Sequence, residues 1–209
     1  MSLVREAKIE KARRILVERY KASPLLWLED KMKEDVKFFE WSKFEGYENH
    51  TWDGDIDPLA KVWNKIAEAG TNIKNGKEPE YRFFGIEAGT GTSKTFYLAR
   101  LVLWFLDCFP NSLVVTSAPK QDQLRLNLWS EISRISNKFR KIRPNANLYS
   151  MRLVVEDGNF TNSDSEELYT ADSWHAIGYV SGVGSEEESA GRARGFHREN
   201  MLIILEEAR

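Results

Sequence analysis

YRFFGIEAGTGTSKTFYLAR, residues Tyr81–Arg100, is the stretch on which the reading of this chain turns. It opens with an apolar run, Phe83-Phe84-Gly85-Ile86, of strand length and strand composition. A turn follows, built from Gly89, Thr90, Gly91, Thr92 and Ser93. Lys94-Thr95 then open a helical pattern in which Phe96, Leu98, Ala99, Leu101, Val102, Leu103, Trp104 and Phe105 cover most of the circumference. Strand, glycine-rich turn, Lys-Thr, helix is a context in which backbone N–H groups and a helix N-terminus can cradle phosphate oxygens. In such a loop the lysine reaches the outer phosphates and the following hydroxyl ligates magnesium. The strict spacing would put glycines at 88 and 93, where this chain has Ala88 and Ser93. A structural strand-to-helix turn that happens to carry a lysine therefore stays open at this point.

The bulk composition narrows the classes. A chain of 209 residues can bury one sizeable core, or one domain with an appendage. Hydrophobic residues at 42% and charged residues at 30% make a soluble globular composition. With 30 basic and 32 acidic residues, net −2, there is no global nucleic-acid signature, so any such contact must come from a local patch. The single cysteine, Cys108, excludes internal disulfides, fits a reducing cytoplasm and falls in the apolar helix, where packing is its expected role. Residues 1–20 are charged throughout, unlike a signal peptide, and no apolar stretch approaches the about eighteen residues of a membrane span. A cytoplasmic protein without membrane contact is expected.

Working outward, Leu3–Lys21 reads as an amphipathic helix with Val4, Ile9, Ala12, Ile15, Leu16 and Tyr20 on one broad face. Ser23-Pro24 caps a second helix running to roughly Trp41, so residues 1–41 are expected to form a helical arm, packed on the main domain or docking a partner. A polar stretch, 42–56, marks the boundary to the main domain, 42–209. Asp57-Pro58 starts another helix, with Leu59, Val62, Trp63, Ile66 and Ala67 as its buried stripe and Gly70 as its stop. Beyond the loop helix, Ser112–Thr116 reads as a buried strand, about Lys120 to Phe139 as a helix and 140–150 as a turn region. Leu153–Glu156 and Ser173–Val180 read as further strands, and 181–195 as a mobile surface loop. Alternating strands and helices with continuous apolar strands predict an α/β fold: a mostly parallel sheet flanked by helices.

The chain closes on Met201-Leu202-Ile203-Ile204-Leu205, its strongest buried-strand signal, which runs into Glu206-Glu207. In many NTP hydrolases a strand of this kind lies beside the phosphate loop and delivers two acids at the C-terminal edge of the sheet. One acid holds the magnesium shell and the other orients the attacking water. A buried strand ending in two solvated acids is the plain alternative. Loop and acidic strand together, in this order, point to ATP and Mg2+ as ligands.

Here the sequence resembles the large terminase subunit of tailed bacteriophages, specifically its N-terminal packaging ATPase domain, from about Trp52 to Arg209. The blocks that carry the resemblance are EAGTGTSKT (Glu87–Thr95), LVLWFL (Leu101–Leu106), VVTSAPKQDQLRLNLWSEI (Val114–Ile132), WHAIGYV (Trp174–Val180) and GFHRENMLIILEEA (Gly195–Ala208). The resemblance implies a P-loop NTPase fold of the RecA-like ASCE type, incomplete after the acidic strand. It also implies a homo-oligomeric ring that drives double-stranded DNA into a procapsid in the host cytoplasm, with a portal and a small terminase subunit as partners. By the same resemblance Gly89, Thr90, Gly91, Thr92 and Ser93 would cradle the phosphates and Lys94 would bind the β/γ-phosphates. Thr95 and Glu206 would hold magnesium, and Glu207 would activate water. Arg194, or next Arg192, would serve as an arginine finger toward a neighbour's ATP. Ser93 in place of glycine and Glu206 in place of the family's aspartate depart from the pattern. Two rivals stand beside this reading: one lobe of a two-lobed nucleic-acid helicase, and a degenerate nucleotide-binding module without hydrolysis.

Overall fold

The structure, a computed structural model, describes residues 3–34, 58–86, 94–155, 174–180 and 199–206. The chain divides into two compact units, Met1–Lys94 and Thr95–Arg209.

In the first unit three helices pack on one another: α1 (Leu3–Ala22), α2 (Pro24–Trp27, continued by a π-helical turn over Leu28–Met32) and α3 (Pro58–Lys74). The Ser23 hydroxyl accepts from the Leu26 N–H at 3.4 Å and Pro24 occupies the first turn, the cap that the sequence predicts. Trp27, Leu28, Met32 and Trp63 make the core, with Tyr20 at the end of α1. Of the expected apolar face of α1, Ile9, Ala12, Ile15 and Leu16 are exposed and Tyr20 is buried, while the side chain of Val4 lies outside the described residues. Charged side chains interrupt that face, which leaves too little continuous apolar area to hold the whole helix down. The second helix stops at Met32 rather than near Trp41, because Lys33 takes the left-handed conformation (φ 55°) and ends it. Val36, Phe38 and Phe39 lie outside the described residues. Likewise α3 passes through Gly70 and stops before Gly76, the glycine with positive φ (67°). Phe83–Ile86 does not form the expected strand, and Phe83 is 92% exposed. Apolar composition favours extended backbone, but a strand exists only with a ladder partner, and none of the described strands pairs with this segment.

The second unit is an α/β layer structure. Its five-stranded mixed sheet has the order β2-β3-β4-β1-β5, with β1 (Leu113–Ala118), β2 (Ala146–Tyr149), β3 (Arg152–Val155), β4 (His175–Val180) and β5 (Met201–Leu205). β1 pairs in parallel with β4 on one side and β5 on the other, whereas β2–β3 and β3–β4 are antiparallel. The sheet is thus less uniformly parallel than expected, because β2 falls in the region read as a turn and closes a hairpin with β3. Helices α4 (Lys94–Cys108), α5 (Gln121–Leu124, continued by a π-helical turn over Arg125–Trp129) and α6 (Ser130–Ile142) flank it.

The helices are fitted to the strands residue by residue. α4 buries Ala99, Leu101–Leu106 and Cys108, as its all-round apolar pattern requires. α6 buries Ile132, Ile135, Ser136 and Phe139, spaced i, i+3, i+4, i+7. Trp129 sits over the registered pair Thr116 and Gly178. Its indole N–H donates to Thr116 Oγ1 at 3.0 Å, and that hydroxyl donates to the Ile177 carbonyl at 3.2 Å. A Cβ on Gly178 would lie 2.6 Å from the indole nitrogen, so only glycine admits the ring at this depth. At the far end of α4, the Arg143 guanidinium bonds both the Asp107 carboxylate (2.6 Å) and its carbonyl (2.7 Å) and lies over the Trp174 ring. Among the described residues no helix is long and apolar enough to cross a membrane.

Candidate functional site

Two elements converge on the candidate site. β5 is a parallel strand, and the residue after it, Glu206, still donates its N–H to the Ser117 carbonyl at 2.8 Å. The β1–β5 ladder thereby extends one residue beyond the strand and pins the Glu206 backbone at the C-terminal edge of the sheet, where α/β sheets present ligands. α4 supplies the other element. Lys94 is its first residue and Thr95 its second, and its first turn carries no acidic side chain to compensate the positive end of the helix.

Thr95 and Glu206 meet across 111 residues of sequence: the threonine hydroxyl lies 3.5 Å from Glu206 Oε1. That separation is long for an O–H···O hydrogen bond, which favours about 2.7–2.8 Å. It is also wider than the about 2.9 Å between adjacent ligands of an octahedral magnesium ion with ligands at about 2.0–2.1 Å, so the two oxygens would have to draw together to share one. A hydroxyl and a carboxylate are nevertheless the hard oxygen donors such an ion prefers. In donor chemistry the pair fits magnesium, with phosphate and water completing the shell. Among the described residues no group of three or more His, Cys, Asp or Glu could hold a metal without such help. The second carboxylate oxygen of Glu206, Oε2, is buried, so the side chain is held at the site rather than spread into solvent.

Behind the first turn of α4 lies a charge network that the sequence does not single out. Arg100 is 1% exposed; its guanidinium donates to the Phe96 carbonyl at 3.2 Å and to Glu131 Oε1 at 2.5 Å, and it stacks 3.3 Å from the Phe96 ring centre. Glu131 also accepts two bonds from Arg134, at 2.8 and 2.6 Å. These Arg134 hydrogen bonds, with Arg100 adding to them, hold the Glu131 carboxyl below the usual carboxylate range against the opposing effect of burial. The network fastens the turn containing Thr95 and Phe96 to α6. A lone arginine inside an apolar helix was its only visible signal in the sequence.

Of the site residues expected from sequence, Thr95 and Glu206 are brought together and Lys94 opens the same helix as Thr95. Gly89, Thr90, Gly91, Thr92, Ser93, Glu207, Arg192 and Arg194 lie outside the described residues. Comparison with protein-family models, with curated proteins and with solved structures gave no match.

Proposed function

We propose that this chain is an ATP-binding and hydrolysing motor domain of the P-loop type, from a terminase-like large subunit that moves double-stranded DNA. The observation that carries the reading is the 3.5 Å approach of Thr95 Oγ1 to Glu206 Oε1. It joins the start of the loop helix to the end of the acidic strand, in the order and at the sheet edge that a magnesium–phosphate site uses.

In the proposed mechanism the Gly89–Ser93 backbone binds the phosphates, and Lys94 neutralises charge on the outer ones. Thr95 and Glu206 would hold a magnesium ion, which would supply charge stabilisation to the phosphates. Glu207, next in sequence, accepts a proton from the water that attacks the γ-phosphorus, while the bond from that phosphorus to the bridging oxygen breaks and ADP leaves with the electron pair. Arg194 of a neighbouring copy in a homo-oligomeric ring offsets charge on the transferring group. The terminase-like blocks between loop and acidic strand support DNA packaging as the task.

ATP turnover by the full chain, with Lys94→Ala and Glu207→Gln compared with wild type, tests the site. Each variant is expected to lose about two orders of magnitude or more, with Glu207→Gln still binding ATP. Undiminished turnover in either removes the assignment. Wild-type ATP binding with no turnover at all would favour the non-hydrolysing module.

A further inference from the structure

α4 is apolar on almost every side, yet it buries an arginine in its second turn: Arg100 lies between Ala99 and Leu101 and is 1% exposed. Stability alone does not explain such a cation. A buried ion pair is often no more stabilising than apolar side chains packed in its place. What the arginine touches is more telling. Its guanidinium reaches back one turn, donating to the Phe96 carbonyl at 3.2 Å and lying 3.3 Å from the Phe96 ring centre. Phe96 follows Thr95, whose hydroxyl stands 3.5 Å from Glu206 Oε1. On its other side the guanidinium donates to Glu131 Oε1, and Arg134 holds both oxygens of that carboxylate. Glu131 and Arg134 are both on α6, so the guanidinium is fixed from that helix and in turn fixes the carbonyl and ring next to Thr95.

We infer that Arg100, braced by Glu131, is a positioning residue that sets the magnesium affinity of the Thr95–Glu206 pair; the inference rests on the ATP reading above. The two oxygens must close by about 0.6 Å, from 3.5 Å to about 2.9 Å, to bind one ion together. Glu206 is already held through its N–H on the Ser117 carbonyl at 2.8 Å. The orientation of the first turn of α4 therefore decides how readily the gap closes. That turn is the part of a helix least able to hold itself, because its N–H groups have no partner within the helix. Arg100 supplies the missing restraint from one turn further on. Groups that orient a ligand without touching the ion act on metal affinity in this way. A lysine ammonium would also meet Glu131, but it has no plane to lay on the Phe96 ring.

The test is binding of a fluorescent ATP analogue to the full chain over a range of Mg2+ concentrations, beside a urea midpoint for each variant. Arg100→Met/Glu131→Met removes both charges and leaves apolar side chains, so its midpoint should stay at or above that of wild type. Affinity without Mg2+ should not change. The Mg2+ concentration that gives half of the gain in affinity should rise about ten- to a hundredfold. A pair that only ties α4 to α6 would leave that concentration alone, and this outcome overturns the inference. Arg100→Lys, which keeps a charge for Glu131, decides the matter if the double variant does not fold: a rise is expected there too, and a wild-type Mg2+ requirement in it is equally fatal. Thr95→Ala separates this inference from the reading beneath it. If Thr95→Ala raises the requirement and the Arg100 variants do not, the inference falls and the ATP reading stands. A wild-type chain whose affinity gains nothing from Mg2+ removes both.

Discussion

β1 and β5 lie side by side in parallel register, and both are short apolar runs, yet they live in different surroundings. Every residue of β1, LVVTSA, is buried, including Thr116 and Ser117. β5, MLIIL, is the more hydrophobic strand and the less covered: Met201, Ile203 and Leu205 are 37%, 54% and 62% exposed, while Ile204 is 6% exposed. The exposed three stand opposite Leu113, Val115 and Ser117, so they share a face with buried residues one strand away. On the other face Thr116 lies under Trp129, and its register partner Ile204 is buried as well. An apolar run thus announces a strand, but not where the strand sits in the sheet or what lies over it.

The largest way to break this contrast is to remove the cover. Trp129→Ala opens the space above Thr116 and Gly178 and leaves the Thr116 hydroxyl without its donor. A loss of about 3–5 kcal/mol in chemical denaturation is expected. A loss below about 1 kcal/mol would mean that the helices are not what buries β1. The second test stays within one row of the other face. Leu113 and Met201 are register partners, 3% and 37% exposed. Leu113→Ala should cost about 2–5 kcal/mol, and Met201→Ala no more than about 1 kcal/mol. Equal losses would erase the difference between the two strands.

The same contrast explains what was legible in the sequence. The bounds of β5 and the start of α4 at Lys94 follow from residue pattern alone, and so does the Ser23 cap, because each depends on neighbours in the chain. The meeting of Thr95 with Glu206 was legible too, since motif order brings a loop helix and an acidic strand to one sheet edge. β2 was not: four residues with Asn147 inside, after Pro144-Asn145, look like turn until β3 pairs with them. Nor was the failure of Phe83–Ile86 to form a strand, which depends on a partner elsewhere. Gly178 did carry a signal, a glycine within an apolar strand marking close approach, but not the identity of the approaching ring. Where α3 stops likewise depended on which of two glycines, Gly70 or Gly76, adopts positive φ.

The smallest expected effect concerns how firmly the helical cover is tied down. Glu131 joins buried Arg100 on α4 to exposed Arg134 on its own helix, and those partners lower its carboxyl below the usual range. A group whose folded pKa lies below its unfolded value stabilises the fold above the unfolded pKa. That stability is lost as pH falls through the folded one. From about pH 7 to about pH 5 the wild type should therefore hold a constant stability advantage over Glu131→Gln, because the reference glutamate titrates near about 4.3. As pH falls below about 4 the advantage should shrink, since a neutral Glu131 leaves the Arg100 charge buried without its counter-ion. Urea midpoints of the two chains across this range measure it directly. Parallel acid profiles would show that this carboxylate does not anchor the layer, and that packing around Trp129 alone distinguishes the covered strand from the open one.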